Sequence, residues 1–68
     1  IFVAQVSAAL AADPRTEHAV IEVIEDRGVV TLQGQVESLA ARNAAAEIAG
    51  QQPGVTTVFN ELMIVSND

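Results

Sequence analysis

The stretch from Val20 to Val36, reading VIEVIEDRGVVTLQGQV, limits what this chain can fold into more than any other. β-Branched residues dominate both halves, which meet at Asp26-Arg27-Gly28, where glycine supplies the positive φ of a short turn. This is a β-hairpin. In the first arm two phases compete, Ala19, Ile21 and Val23 against Val20, Glu22 and Ile24, and the charge on Glu22 assigns the first set to the core. In the returning arm Val30, Leu32, Gly34 and Val36 alternate with Val29, Thr31, Gln33 and Gln35, and the first set is the inner face. Gly34 is the anomaly. A glycine inside a strand marks a bulge or a close approach by a packed backbone.

The flanks of the hairpin read as helices. From Ile1 to Ala12, Phe2, Val3, Val6, Ala9 and Leu10 recur at spacings of three and four, giving an amphipathic helix that Asp13-Pro14 ends. Thr16 and Glu17 fall in the connection that follows. A second helix begins after Glu37 with Ser38 as N-cap, and Leu39, Ala41, Ala45, Ile48 and Ala49 form its expected buried stripe. Gly50 is its expected C′ residue, and Pro53-Gly54 blocks continuation. Because this helix is built from small side chains, Gly34 is expected to sit beneath it, backbone to backbone. A last strand runs from Val55 to about Val65, and its phase stays open between Val58, Asn60, Leu62, Ile64 and Phe59, Glu61, Met63, Val65. Gly28, Gly34 and Gly54 are thus structural glycines.

The element order is α-β-β-α-β, an α+β fold with a three-stranded mixed sheet. A strand–helix–strand crossover makes strand three parallel to strand two, and both helices cover one sheet face. The other face, carrying Glu22, Thr31, Gln33 and Gln35, is left to solvent or to a partner. All 68 residues form one domain. Twelve of the 34 hydrophobic residues are alanine, so the core is thin and the expected stability is a few kcal/mol. The chain begins at Ile1 without an initiator methionine and reads as a piece of a longer protein, which leaves room for a neighbouring domain.

Charge narrows the function. Nine acidic residues stand against three arginines and no lysine, for a net charge of −6, which opposes binding to a nucleic-acid backbone. It also opposes simple electrostatic attachment to anionic lipid. No cysteine and one histidine, His18, leave no thiol chemistry and no multi-histidine metal site. No apolar run reaches the roughly 18 residues that span a bilayer.

No residue pattern signals catalysis or a cofactor. Glu22, Glu25 and Asp26 form an acidic group around the first strand, but without the ligand spacing of a Ca²⁺ loop. Gly28 and Gly34 do not fit a phosphate-cradling pattern. Arg15 and Arg27 lie at opposite ends of the first strand, about 23 Å apart if seven residues are extended, which is too far to share an anion. What remains is contact chemistry. Phe59, Met63 and Val65 share one phase of the last strand and make a small apolar patch if that phase is exposed. Phe2 and Val3 could face lipid, although a core stripe is the ordinary reading of periodic apolar positions.

Taken together, Val6 and Leu10, Asp13-Pro14, and the run Ile21, Val23, Gly28, Val30, Leu32, Gly34, Val36 resemble a BON domain, the small module first described in bacterial osmotic-stress and nodulation proteins. Ser38, Arg42 and Ala45, then Gly54-Val55, Val58, Asn60 and Leu62, complete the resemblance over nearly the whole chain. It implies an αββαβ sandwich without catalysis, placed in the bacterial cell envelope, periplasmic or associated with the outer membrane. The implied partner is a phospholipid membrane, to which the module attaches its parent protein. The acidity favours the alternative, a protein–protein or oligomerisation module among envelope proteins, using the polar sheet face or the last strand as an edge.

Overall fold

Arg27 and Gly28 both have positive φ, 55° and 87°, the combination that a two-residue type I′ turn requires. The turn closes β1 (Val20–Asp26) onto β2 (Val29–Val36) with Asp26 opposite Val29, and the antiparallel register continues through Val23 opposite Leu32 to Val20 opposite Gln35. The computed structural model describes residues 3–65. Around the hairpin stand α1 (Val3–Ala12), α2 (Leu39–Gly50) and β3 (Thr57–Ile64), in the order αββαβ. The sheet order is β1-β2-β3, with β3 parallel to β2 as the crossover demands.

Both expected inner faces are inward. Val23, Val30, Leu32 and Val36 are buried together with Val6 and Leu10 of α1 and Ala41, Ala45, Ile48 and Ala49 of α2. Leu62 decides the phase of β3: it is buried in this core, so Val58, Asn60 and Leu62 face the helices while Phe59, Glu61 and Met63 face away. The sequence of β3 alone could not decide this, because both of its phases are largely apolar.

Ser38 caps α2 as expected, its hydroxyl accepting a hydrogen bond from the Ala41 N–H at 3.1 Å. Two expectations for this helix fail. Leu39 is 56% exposed, because at 100° per residue it lies on the face of α2 opposite the buried stripe of Ala41, Ala44, Ala45, Ile48 and Ala49. Gly50 is the last helical residue rather than a left-handed C′; the chain leaves through Gln51 in the right-handed region, and the positive φ falls later, at Gly54 (90°). Thr16 is buried, and its hydroxyl donates to the Leu10 carbonyl at 2.6 Å, closing the C-terminal end of α1. A connecting threonine gave no sequence signal of that role. Phe2 lies outside the described residues.

The anomaly at Gly34 has a different cause from the expected one. Its φ is +134°, and a Cβ built there would run into the Val20 carbonyl oxygen, with the Val20 carbonyl carbon at 3.0 Å and Ile21 Cα at 3.2 Å. What a side chain at Gly34 would meet first is thus the backbone of β1, its partner in the sheet, because the positive φ turns the Cβ direction toward that strand. The pairing skips no residue on either side of the Ile21–Gly34 pair, so this is a close approach and not a bulge.

Candidate contact surface

With both helices on one side, the three strands present an open face whose composition follows from the register. Across the sheet, Ile24, Thr31 and Phe59 form one row, Glu22, Gln33 and Glu61 the next, and Val20, Gln35 and Met63 the third. The face is therefore banded along its two outer strands, with Ile24, Glu22 and Val20 on β1 and Phe59, Glu61 and Met63 on β3, while β2 between them carries Thr31, Gln33 and Gln35; a further row of Asp26, Val29 and Thr57 closes the face at the end of the hairpin turn. Val20 is 74% exposed, Met63 65% and Phe59 53%. Within the middle row the Gln33 side-chain amide donates to the Glu61 carboxylate at 3.2 Å, which fixes that carboxylate over β2.

A second apolar region lies where β2 and β3 end and α2 begins. Leu39, Ile64 and Val65 are exposed there, and Met63 and Val20 are exposed at the same end on the open face. Five of the eight exposed large apolar side chains among the described residues thus gather at one end of the domain. Beside them a cleft of about 230 Å³ is lined by residues including His18, Val20, Val36, Glu37 and Val65. Of the patch Phe59, Met63 and Val65, the first two lie on the open face and Val65 lies just beyond β3, at this end.

The free edge of β3 is only partly free. Thr57 N–H donates to the Gly28 carbonyl and Val65 N–H to the Val36 carbonyl, so the odd-numbered residues bond to β2 and the even-numbered ones face outward. Of those outward groups, the Asn60 carbonyl accepts from the Arg42 guanidinium at 3.3 Å, and the Leu62 N–H donates to the Asn60 side-chain oxygen at 3.3 Å. The Asn60 amide also donates to the Arg42 carbonyl at 2.8 Å, tying the middle of the edge to α2. A β-augmenting partner would find these positions occupied.

The structural glycines Gly28 and Gly54 meet. A Cβ on Gly28 would lie 2.8 Å from the Gly54 carbonyl oxygen, and the Gly28 carbonyl itself accepts from the Thr56 N–H (2.8 Å), the Thr56 hydroxyl (3.2 Å) and the Thr57 N–H (3.3 Å). Gly34 stands apart from this pair, against β1.

The ionisable residues do not converge on a reaction centre. Arg15 grips the Asp13 carboxylate through Nε and Nη2, each at 3.0 Å, and its backbone N–H donates to the same carboxylate at 2.8 Å. These bonds from Arg15 hold the Asp13 carboxyl below its usual range, and the carboxylate in turn raises Arg15. Arg27 lies 3.8 Å from Asp26, and Arg42 is engaged with β3, so each arginine has a separate neighbourhood. Glu22 and Asp26 are on the open face, whereas Glu25 is in the phase of Val23 and points to the opposite side. His18 is exposed, 3.4 Å from Glu17. Among the described residues, no group of three His, Asp or Glu side chains is placed to hold a metal, and no helix is long and apolar enough to cross a membrane.

No curated protein sequence matches the chain. The profile of the BON domain does match, over residues 3–66, with all five secondary-structure elements inside the matched span. BON domains are in general binding modules of the envelope or phospholipid-binding type rather than an enzyme family. On a match of that extent, together with the αββαβ order and the mixed three-stranded sheet, this chain belongs to the BON domain family.

Proposed function

We propose that this BON domain is a non-catalytic attachment module of the bacterial cell envelope, which holds its parent protein at a phospholipid surface through the apolar end formed by Leu39, Ile64 and Val65 with Met63 and Val20 at its rim. The observation that carries the reading is the clustering of exposed large apolar side chains at that end. Exposed apolar patches are costly in water and mark contact surfaces, and shallow burial in the headgroup–acyl boundary rewards such a patch without a spanning segment. The net charge of −6 selects the lipid: a neutral headgroup surface accepts this end, and an anionic one repels the domain as a whole.

Co-sedimentation with phosphatidylcholine vesicles and with vesicles containing phosphatidylglycerol, across a salt series, tests the reading. Binding to the neutral vesicles should vary little with salt. Binding to the anionic ones should be weak at low salt and recover as the Debye length falls from about 30 Å at 0.01 M to about 10 Å at 0.1 M. Leu39→Glu and Ile64→Glu should reduce both. No sedimentation with either vesicle, or binding only to anionic vesicles that salt abolishes, would sink the reading. A second reading, docking to a protein, is favoured by the banded open face, whose acidic row is unsuited to a bilayer interior.

A further inference from the structure

We infer that the open sheet face is a seat for an amphipathic helix of another protein, or of another domain, that carries a basic residue in the middle of an apolar stripe. The two helices cover one side of the sheet and leave a three-stranded face of the same size on the other. That face is not a generic solvated one. Ile24 and Phe59 head one row and Val20 and Met63 another, all exposed, and between them stand Glu22 and Glu61. No arginine lies on any of these three rows, so nothing on the face neutralises the two carboxylates.

The spacing selects the occupant. Alternate residues on a strand are about 6.6 Å apart, so the two apolar rows are separated by about 13 Å with the acidic row midway. On a helix, positions i, i+4 and i+8 lie on one side at about 0, 6 and 12 Å along the axis. A helix laid along β3 or along β1 therefore meets Phe59, Glu61 and Met63, or Ile24, Glu22 and Val20, in turn with an apolar residue, a Lys or Arg, and a second apolar residue. A bilayer offers no such alternation, and inserting this face would bury both carboxylates in hydrocarbon with no positive charge beside them, the Gln33 amide alone reaching Glu61. A second copy of this chain would bring more negative charge to the acidic row. The edge of β3 is consistent with this: Asn60 and Arg42 occupy its middle and leave less of it for a partner strand. This surface is separate from the lipid-facing end except at the Val20–Met63 row, and it stands or falls independently of lipid attachment.

The test uses two capped 18-residue alanine-based helical peptides, one repeating leucine, arginine and leucine at i, i+4 and i+8, the other with glutamate in place of arginine. Fluorescence anisotropy should show saturable binding of the arginine peptide, at least tenfold tighter than the glutamate peptide at low salt. Glu22→Gln with Glu61→Gln should remove that discrimination, and Phe59→Ser should weaken the arginine peptide by about tenfold, while Leu39→Glu leaves it unchanged. Each variant is checked for an unaltered melting temperature, and amide chemical shifts should move on β1, β2 and β3. Equal binding of the two peptides, no saturable binding of either, or binding lost in Leu39→Glu and kept in Phe59→Ser would overturn the proposal. So would loss of vesicle binding in Phe59→Ser, which would assign the face to lipid.

Discussion

Replacing Gly34 with alanine isolates the contact that most constrains the hairpin. Alanine brings one methyl group, too small to matter if the glycine merely lay under α2, yet here that methyl would point into the Val20 carbonyl. Two costs combine. Holding a residue with a side chain at φ +134° costs about 1–3 kcal/mol, and moving β1 away to clear the clash weakens the ladder by roughly one hydrogen bond, about 1 kcal/mol. The sum is about 3 kcal/mol, comparable with the few kcal/mol that a domain of this size has in total. At about 4–8 °C per kcal/mol, thermal unfolding followed by circular dichroism should shift down by roughly 12–24 °C, or the chain should be unfolded outright at room temperature. Because the obstacle is backbone, Gly34→Val should cost little more than Gly34→Ala. A Gly34→Ala protein within about 0.5 kcal/mol of the parent, the range of a neutral surface substitution, would refute the reasoning. So would a large extra loss from alanine to valine, which would return the constraint to helix packing.

Two other expectations follow from single contacts. Asn60→Ala removes both side-chain bonds that tie β3 to α2 and to its own Leu62 N–H, and should cost about 1–2 kcal/mol in urea unfolding while the opened edge raises self-association in light scattering; an unchanged midpoint with a strict monomer would contradict it. For Asp13, the lowered carboxyl pKa means that its contribution is complete above the unfolded value of about 3.9 and is lost as pH falls through the lower folded value. The stability difference between the parent and Asp13→Asn should therefore be flat above about pH 5 and shrink below about pH 4, and a difference that grew on acidification would reverse the assignment.

The strand phases of the hairpin were legible because a charge or a run of amides marks one side of each arm: Glu22 in β1, and Gln33 with Gln35 in β2. β3 lacks such a mark. Its single acid, Glu61, sits between Phe59 and Met63, and Asn60 is the polar residue of the opposite phase, so only the burial of Leu62 settled which side faced the helices. The banded face was hidden for the same reason, since it exists only once Phe59, Glu61 and Met63 are set in register with Thr31, Gln33 and Gln35. Gly34 shows a different limit. A strand glycine announces that something comes close, and the neighbour here is two residues of the preceding strand, whereas helix α2, rich in alanine, looked the better candidate from composition. Leu39 was misplaced by its hydrophobicity, because its spacing from Ala41, Ala45 and Ile48 puts it on the opposite face of α2.

The meeting of Gly28 and Gly54 bears on how this domain can change length. Loops are where proteins ordinarily absorb insertions and deletions. Here the two-residue turn and the segment between α2 and β3 press against each other, and the carbonyl of one receives three hydrogen bonds from residues immediately after the other. An extra residue in either would displace the acceptor from its donors and shift the start of β3 against β2. The two connections behave as one part, and room for inserted residues has to be found elsewhere in the chain.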